Sequence, residues 1–132
     1  MSHKETDSIY VDLCGLRKEV RKASYLMEAK NRILYVDDTQ REIAECIRLF
    51  VRARKQRSQQ EALPYMERLD EEFAVVKVDL RIMDDEYIWR GKKDEMGNVK
   101  CAMAVFERVA KVDEGLDRWR NALKKGRAVS EL

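Results

Sequence analysis

The chain contains very few of the residues that tight turns, catalytic sites and membrane spans require. It has one proline and five glycines in 132 residues, too few for the many turns of a β-sandwich or barrel. His3 is the only histidine, so a serine or cysteine nucleophile would lack a positioned imidazole base. No apolar run approaches the roughly 18 residues of a membrane span, and the first residues show no signal-peptide pattern. These absences predict a single cytoplasmic domain that is not an enzyme and has no membrane partner.

The cysteines and the common ligand-binding motifs give no sign of a metal or cofactor. Cys14, Cys46 and Cys101 are far apart and form no CxxC pair, so we expect reduced thiols at half-buried helix positions. The sequence contains no HExxH, P-loop or GxGxxG motif. The acidic run 84–86 is consecutive, and consecutive helix positions point in different directions, which disfavours a shared cation. We therefore expect no cofactor and no bound metal.

Apolar residues recur at steps of three and four in four segments, the spacing typical of amphipathic helices. The segments span about residues 7–28, 31–59, 64–88 and 98–125. Their apolar stripes consist of Ile9, Leu13, Leu16, Val20, Ala23 and Met27; Ile43, Cys46, Ile47, Phe50, Val51 and Arg54; Met66, Leu69, Phe73, Val76, Leu80, Met83 and Tyr87; and Val99, Met103, Phe106, Val109, Val112, Leu116, Trp119 and Leu123. Four such helices with short connections predict an all-α fold, an antiparallel up-down-up-down four-helix bundle.

Individual residues predict where these helices begin and end. Residues 34–36 could be extended before an Asp or Thr at positions 37–39 caps the second helix. Pro64 suits the first position of the third helix, where its missing N–H costs nothing. Asn98 is the expected cap of the fourth helix, and Gly126 is its expected end.

Several apolar residues lie outside the main stripes. They are Leu34, Val36, Leu49, Val75 and Ile88. They could line contacts between subunits of an oligomer, or they could widen the apolar face that each helix turns toward its own core. The sequence leaves both interpretations open.

The net charge is only +2, but the charges are unevenly distributed. Residues 1–60 carry a net charge of +4, residues 61–90 carry −5, and residues 91–132 carry +3. In the predicted topology the second and fourth helices are parallel, so their C-termini share one end of the bundle, here called the basic end. The cations predicted there are Arg48, Arg52, Arg54, Lys55 and Arg57 from the second helix, and Arg118, Arg120, Lys124, Lys125 and Arg127 from the fourth.

The cations of the basic end allow two interpretations. Their positive potential could bind the phosphates of a nucleic acid. They could also be ordinary C-terminal charges that complement the helix macrodipole. In that case Glu67, Asp70, Glu71 and Glu72, which would begin the third helix at the same end, neutralise part of the patch.

The opposite end of the predicted bundle, here called the loop end, contains residues 28–36 and 86–99. It combines aromatic and basic residues, namely Tyr35 and Trp89 with Lys30, Arg32, Arg90, Lys92 and Lys93. Such residues can stack on and clamp single-stranded nucleic acid. Aromatic residues at a helix end also close the apolar core, and the acids at 84–86 would oppose an anionic ligand.

Three groups of segments resemble a known family. They are residues 41–47 (REIAECI) with 51–55 (VRARK); residues 63–69 (LPYMERL) with 71–73 (EEF) and 78–82 (VDLRI); and residues 112–119 (VDEGLDRW) with 123–125 (LKK). Together they resemble the four-helix-bundle proteins related to the 23S rRNA intervening-sequence protein. The closer branch is the accessory variability determinant of diversity-generating retroelements. The resemblance covers roughly residues 10–125.

This resemblance implies a homo-oligomeric ring, pentameric in that family, in which bundles lie side by side. It also implies a basic surface that engages the reverse transcriptase of the retroelement and its template RNA. The accessory protein of that family has no catalysis of its own and supports error-prone cDNA synthesis. For this chain the resemblance therefore implies a non-enzymatic partner of a reverse transcriptase.

Two other functions remain open at this stage. The first is a structural bundle of the 23S rRNA intervening-sequence type, which forms homo-oligomers and binds only protein partners. The second is a bundle with a small-molecule pocket between its helices. The first predicts no salt-dependent affinity for nucleic acid, and the second predicts a ligand that raises the melting temperature.

Overall fold

The computed structural model describes the backbone of residues 3–131 and the side chains of residues 8–125. Its long helices are α1 (His3–Ser24), α2 (Asp37–Arg54), α3 (Gln59–Asp85) and α4 (Lys100–Glu131). A short helical turn, Ala29–Asn31, and a π-helical turn, Arg32–Val36, join α1 to α2. The described residues form no strand, only an isolated bridge in the connection between α3 and α4. The all-α prediction is confirmed.

The apolar stripes of the four helices form one core. All six predicted residues of the first stripe are buried, from Ile9 to Met27, and so are six of the seven predicted for α3. In α2 the stripe also includes Leu49 and Ala53. None of the helices in the described part of the chain combines the length and apolarity that crossing a bilayer requires.

The most extensive helix contacts are between α2 and α3 and between α1 and α4, and smaller contacts join α1 to α2 and α3 to α4. Side-chain contacts show how α3 and α4 are aligned. Asp70 of α3 meets Arg120 of α4, whereas Lys77, two turns further along α3, meets Asp113, two turns earlier in α4. The contacts along these two helices therefore follow opposite chain directions.

The end of α1 and the segment that leads into α2 differ from the predictions. Helix α1 ends at Ser24, where the hydroxyl donates to the carbonyl of Arg21 at 2.6 Å. Residues 34–36 are helical rather than extended, because the π-helical turn runs directly into α2. Thr39 is not a cap. Its hydroxyl donates to the carbonyl of Tyr35, four residues earlier, at 3.0 Å.

The start of α3 is set by a serine rather than by proline. Ser58 has an extended backbone, and its hydroxyl accepts a hydrogen bond from the N–H of Glu61 at 3.1 Å. Helix α3 therefore begins at Gln59, and α2 ends at Arg54 rather than at residue 59. Pro64 lies in the second turn of α3, so the prediction that it occupies the first position is wrong.

The end of α3 corrects the prediction for Tyr87. The helix stops at Asp85, and Tyr87 has a left-handed backbone with φ of 56°, an uncommon conformation for a residue other than glycine. Its side chain is 80% exposed instead of buried. The chain reverses here, so Ile88 and Trp89 pack over the core in its place.

The limits of α4 and its stripe also differ from the predictions. Asn98 does not cap the helix, because the helix starts two residues later, at Lys100. The N–H of Asn98 donates to the carboxylate of Asp94 in the preceding loop. The backbone stays helical past Gly126, so this glycine does not end α4. Met103 is 41% exposed, and its neighbours in the helix supply the buried surface instead.

The apolar residues outside the main stripes are divided between the core and the surface. Val36, Leu49 and Ile88 are buried and widen the core, whereas Leu34 and Val75 are exposed. The three cysteines are free thiols, as predicted. Two of them are half-buried, and the one in α2 is completely buried.

A close approach between α1 and α4 predicts the effect of replacing Gly115 by alanine. A Cβ atom at this position would lie 2.8 Å from Cγ1 of the buried residue Ile9. Alanine gains about 1 kcal/mol of helix propensity over glycine. Overpacking costs about 1–3 kcal/mol, so we expect Gly115→Ala to lower the free energy of unfolding by about 1 kcal/mol.

Urea unfolding followed by circular dichroism would measure this effect. Gly115→Ala would be introduced both into the wild type and into an Ile9→Ala variant. In the Ile9→Ala variant the added methyl has room, so Gly115→Ala should no longer destabilise. A single Gly115→Ala variant more stable than the wild type would show that α1 and α4 are less tightly packed at this point.

Candidate nucleic-acid interface

The structure brings the C-terminal parts of α2 and α4 together. A groove of about 220 Å³ separates the last turn of α2 from the later turns of α4. Arg54 and Arg57 line one side of it, and Trp119 and Leu123 line the other. Trp119 packs edge-on against Phe50 with ring centroids 5.4 Å apart, which fixes α4 beside the end of α2. The two predicted basic clusters therefore lie at one end of the molecule.

The five cations predicted from α2 occupy different parts of that helix. Arg48 lies more than a turn before the helix end and pairs with Glu45 at 3.2 Å. The guanidinium of Arg54 lies over the ring of Phe50, 5.8 Å from its centroid. The other three, Arg52, Lys55 and Arg57, are exposed at the last turn and in the connection to α3.

The cations predicted from α4 divide into exposed and engaged groups. Arg118, Lys124 and Lys125 are exposed along its later turns. Arg120 is half-buried and already bound to carboxylates of this chain. The side chain of Arg127 lies outside the described residues.

Arg120 forms the strongest polar contact at this end. Its Nε donates to Oδ2 of Asp70 at 2.7 Å, its Nη2 donates to the other oxygen of the same carboxylate, and its Nη1 donates to Asp117 at 2.6 Å. The hydrogen bonds to Asp70, followed by those to Asp117, raise the pKa of Arg120 above its ordinary value. The two-point contact with Asp70 ties α4 to α3, so Arg120 already has a structural role.

Among the side chains that the structure describes, residues 8–125, six cations at the basic end form no ion pair. They are Arg52, Lys55, Arg57, Arg118, Lys124 and Lys125. Helix α3 begins at Gln59, so the acids expected to neutralise these cations, at residues 67–72, lie two turns or more inside that helix. Asp70 pairs with Arg120, and within the described residues none of these acids forms an ion pair with the six cations. The acid in the first turn of α3 is Glu61.

The clamp hypothesis for the loop end is not supported by the positions of its aromatic residues. Trp89 is buried and packs edge-on against Phe106 with centroids 6.2 Å apart, so it closes the core. Tyr35 is half-buried against the same core. Of the cations, Lys30 pairs with Glu28 at 3.5 Å. The indole and phenol rings expected to stack on bases are therefore largely covered by this chain.

The sequence did not predict an open cleft of about 840 Å³ at the loop end. It lies between the last turn of α3, the following loop and the first turns of α4. Tyr87 and Met103, both expected in the core, line it and expose much of their surface. The positive φ of Tyr87, which turns its ring outward, leaves no signal in the apolar periodicity.

The acidic run 84–86 lies exposed beside this cleft. Within residues 8–125, no three His, Cys, Asp or Glu side chains are grouped so that they could hold a metal ion. The described part of the chain offers surface charge, apolar surface and open grooves.

Comparison with protein-family models, with curated proteins and with solved structures gave no match to this chain. Among the residues, the unpaired cations of the basic end are the feature best suited to bind a polyanion.

The different environments of Arg120 and its neighbour Arg118 predict different effects on stability. Arg120→Ala removes the two-point contact and leaves Asp70 without its partner. Because the pair is about one-third exposed, we expect the free energy of unfolding to fall by only about 1 kcal/mol. Arg118→Ala removes an exposed cation without an ion pair, so it should change stability by less than about 0.5 kcal/mol.

Urea unfolding of the two variants at the same pH and salt concentration would measure the difference. Equal stabilities would mean that the contact between Asp70 and Arg120 contributes nothing to the α3–α4 interface.

Proposed function

We propose that this chain is a non-enzymatic accessory protein of a diversity-generating retroelement. In this proposal it is an antiparallel up-down-up-down four-helix bundle that assembles into a ring. It binds the reverse transcriptase and its template RNA, and so supports mutagenic cDNA synthesis. The observation that carries the proposal is the set of six cations without ion pairs at the basic end.

The arrangement of the basic end suits an extended polyanion better than a small one. The exposed cations come from the end of α2, from the following connection and from several turns of α4. A free phosphate would be held by a compact set of donors, whereas a nucleic-acid backbone presents charges at regular intervals. Contacts of this kind position a nucleic acid without reading its sequence. Sequence selection would then come from the polymerase or from the folded shape of the RNA.

The outer face of α3 supports the oligomeric part of the proposal. Val75, Val78 and Ile82 follow one another at steps of three and four, and each is between 41% and 57% exposed. This spacing places them on one side of the helix, away from the buried stripe. An apolar stripe on the outside of a helix is a suitable contact surface for a neighbouring bundle.

The same stripe favours a second candidate function. A homo-oligomeric bundle that binds only protein would use the outer face of α3 and would leave the cations as surface charge. The two candidates differ in a measurable property, because only the first predicts an affinity for RNA that falls with salt.

The RNA-binding proposal predicts the effect of neutralising three cations at the basic end. We expect the triple variant with Arg52, Lys55 and Arg57 changed to Ala to bind RNA more weakly. For a single-stranded site, each lost phosphate contact reduces the slope of log K against log salt by about 0.7, so the total reduction should be about 2. The probe is the RNA recovered with the tagged wild-type protein from its native cells, transcribed in vitro and titrated by fluorescence anisotropy.

The matched control removes the same charge from the loop end. Changing Lys92, Lys93 and Lys100, all exposed, to Ala should leave the slope within about 0.5 of the wild type. Equal losses in the two triple variants would indicate a non-specific effect of net charge and would contradict a defined site. Recovery of neither RNA nor a reverse transcriptase with the wild-type protein would overturn the retroelement proposal.

The oligomeric part of the proposal predicts the effect of placing a charge in the α3 stripe. Val78→Glu puts a carboxylate into an apolar contact, so we expect the mass from light scattering to fall to that of the 15.6 kDa monomer. Helical circular dichroism should be unchanged, because Val78 is not part of the core.

Leu34→Glu is the control for this variant, since Leu34 is equally exposed but lies at the loop end. It should leave the oligomer intact. A wild-type protein that is monomeric at micromolar concentration would contradict the ring. An oligomer that survives in the Val78→Glu variant would exclude the α3 stripe as its interface.

A further inference from the structure

The contact between α2 and α3 contains two acidic side chains from different helices. Glu42 of α2 lies within hydrogen-bonding reach of Asp79 of α3, and both residues are half-buried. One oxygen of Glu42, Oε1, is shielded from solvent and has no hydrogen-bond partner. Two carboxylates this close repel each other when both are ionised, and burial strengthens that repulsion.

The surrounding charges increase this repulsion. Glu72 of α3 and Asp38 of α2 both add negative potential at Glu42. The next turn of α2 carries Cys46, which is buried beside the pair. Burial, followed by the charges of Glu72 and Glu42, raises the pKa of the Cys46 thiol, so this group stays neutral.

The described cations do not compensate this negative potential by pairing with Glu42 or Asp79. Arg41, next to Glu42 in the chain, pairs with Asp38, and Lys77 of α3 pairs with Asp113 of α4 at 3.0 Å. Helix α4 therefore draws a cation of α3 away from this contact.

Helix α1 packs against the same stretch of α2, beside residues 40–47. Its cations Arg17, Lys18 and Arg21 line a shallow groove with Gln40 and Ile47 of α2. Since no ion pair joins any of these three cations to Glu42 or Asp79, the carboxyl pair has to be neutralised in another way.

We propose that Glu42 and Asp79 share one proton across the α2–α3 contact and that this proton is a pH-sensitive clasp between the two helices. With the proton bound, the carboxyl group of Glu42 donates to the carboxylate of Asp79. The carboxyl group of Glu42 is then uncharged, so its shielded oxygen costs much less to bury without a donor than an ionised oxygen does. When the proton leaves, two adjacent negative charges push α2 and α3 apart.

The pKa of Glu42 gives the pH range over which the clasp weakens. Burial, followed by the hydrogen bond to Asp79 and the neighbouring negative charges, raises it from 4.5 to about 8. Between these values the folded chain holds the proton and the unfolded chain does not. The stabilisation is therefore complete below about pH 4.5, falls as the pH rises, and is lost above about pH 8. Neutral pH lies inside this range, so small changes of pH alter the strength of the α2–α3 contact.

Urea unfolding across this pH range tests the clasp. One group of this kind can change the unfolding equilibrium constant by up to about tenfold per pH unit, and partial exposure of Glu42 reduces the effect. We expect the constant of the wild type to rise by about ten- to a hundredfold between pH 5 and pH 8. Glu42→Gln keeps the shape of the side chain and can donate to Asp79, but it cannot titrate. The rise of the unfolding equilibrium constant between pH 5 and pH 8 should therefore be about ten- to a hundredfold smaller in this variant than in the wild type.

Glu45→Gln is the matched control, because Glu45 is on the same helix but pairs with Arg48. It should keep the pH dependence of the wild type. A Glu42→Gln variant with the pH dependence of the wild type would overturn the proposal.

A further measurement does not depend on the stability of the Glu42 variant. A carbon-13 NMR titration of the wild-type side chain of Glu42 should give a midpoint near pH 8, and in Asp79→Asn the midpoint should move toward the ordinary value for a carboxyl group. A wild-type midpoint near 4.5 would overturn the shared proton.

Alkylation of Cys46 in the native protein, quantified by mass spectrometry of its peptide, reports local separation of the helices. At pH 8.5 the wild type should react several times faster than Glu42→Gln. Loss of the Glu42 charge by itself would lower the pKa of the Cys46 thiol and speed up the variant, so a faster wild type reports separation of the helices. Equal rates would show that the proton does not control the α2–α3 contact.

Discussion

The contact between Phe50 and Trp119 is the interaction on which the arrangement of the basic end depends. Helices α2 and α4 share little backbone contact, and these two large rings join them across the core. Phe50 also meets Tyr10 of α1, with centroids 6.3 Å apart, and Arg54 lies over its face. One buried side chain therefore fixes three helices, and the C-terminal charges of α2 lie beside those of α4 as a result. Dispersion and quadrupole attraction between rings hold together an end whose cations would otherwise repel one another.

The polar contacts between neighbouring helices are of two kinds. Opposite charges join α1 to α4 and α3 to α4, as in the pair of Asp12 with Arg108 at 3.1 Å. The α2–α3 contact instead brings together Glu42 and Asp79, two groups of the same sign. Helix α4 is thus held by pairs of opposite charge, whereas the proposed clasp makes the α2–α3 contact depend on a proton. Since α2 carries part of the basic end, the proposed clasp would also affect how firmly those cations are positioned.

The two ends of the molecule have different surface chemistry. The basic end presents cations without ion pairs around a shallow groove, and the loop end presents a larger cleft with exposed apolar side chains. A polyanion and a protein surface would favour different ends, because phosphates need cations and protein contacts need apolar area. Together with the outer face of α3, this division provides separate surfaces for RNA, polymerase and self-association in the proposed function. No surface has to serve two partners at once.

The sequence by itself determined the helices and most of the core, because burial of one face imposes a spacing of three and four residues that can be read directly. It also located the basic residues in the chain. Only the tertiary structure decided which cations lack partners: Arg120 and Arg118 look alike in the sequence, but Asp70, fifty residues away, lies beside one and not the other. The same reason explains why the sequence did not predict the exposure of Tyr87 or the contact between Glu42 and Asp79. Backbone reversal and contacts between distant helices depend on three-dimensional distances, which local periodicity does not contain.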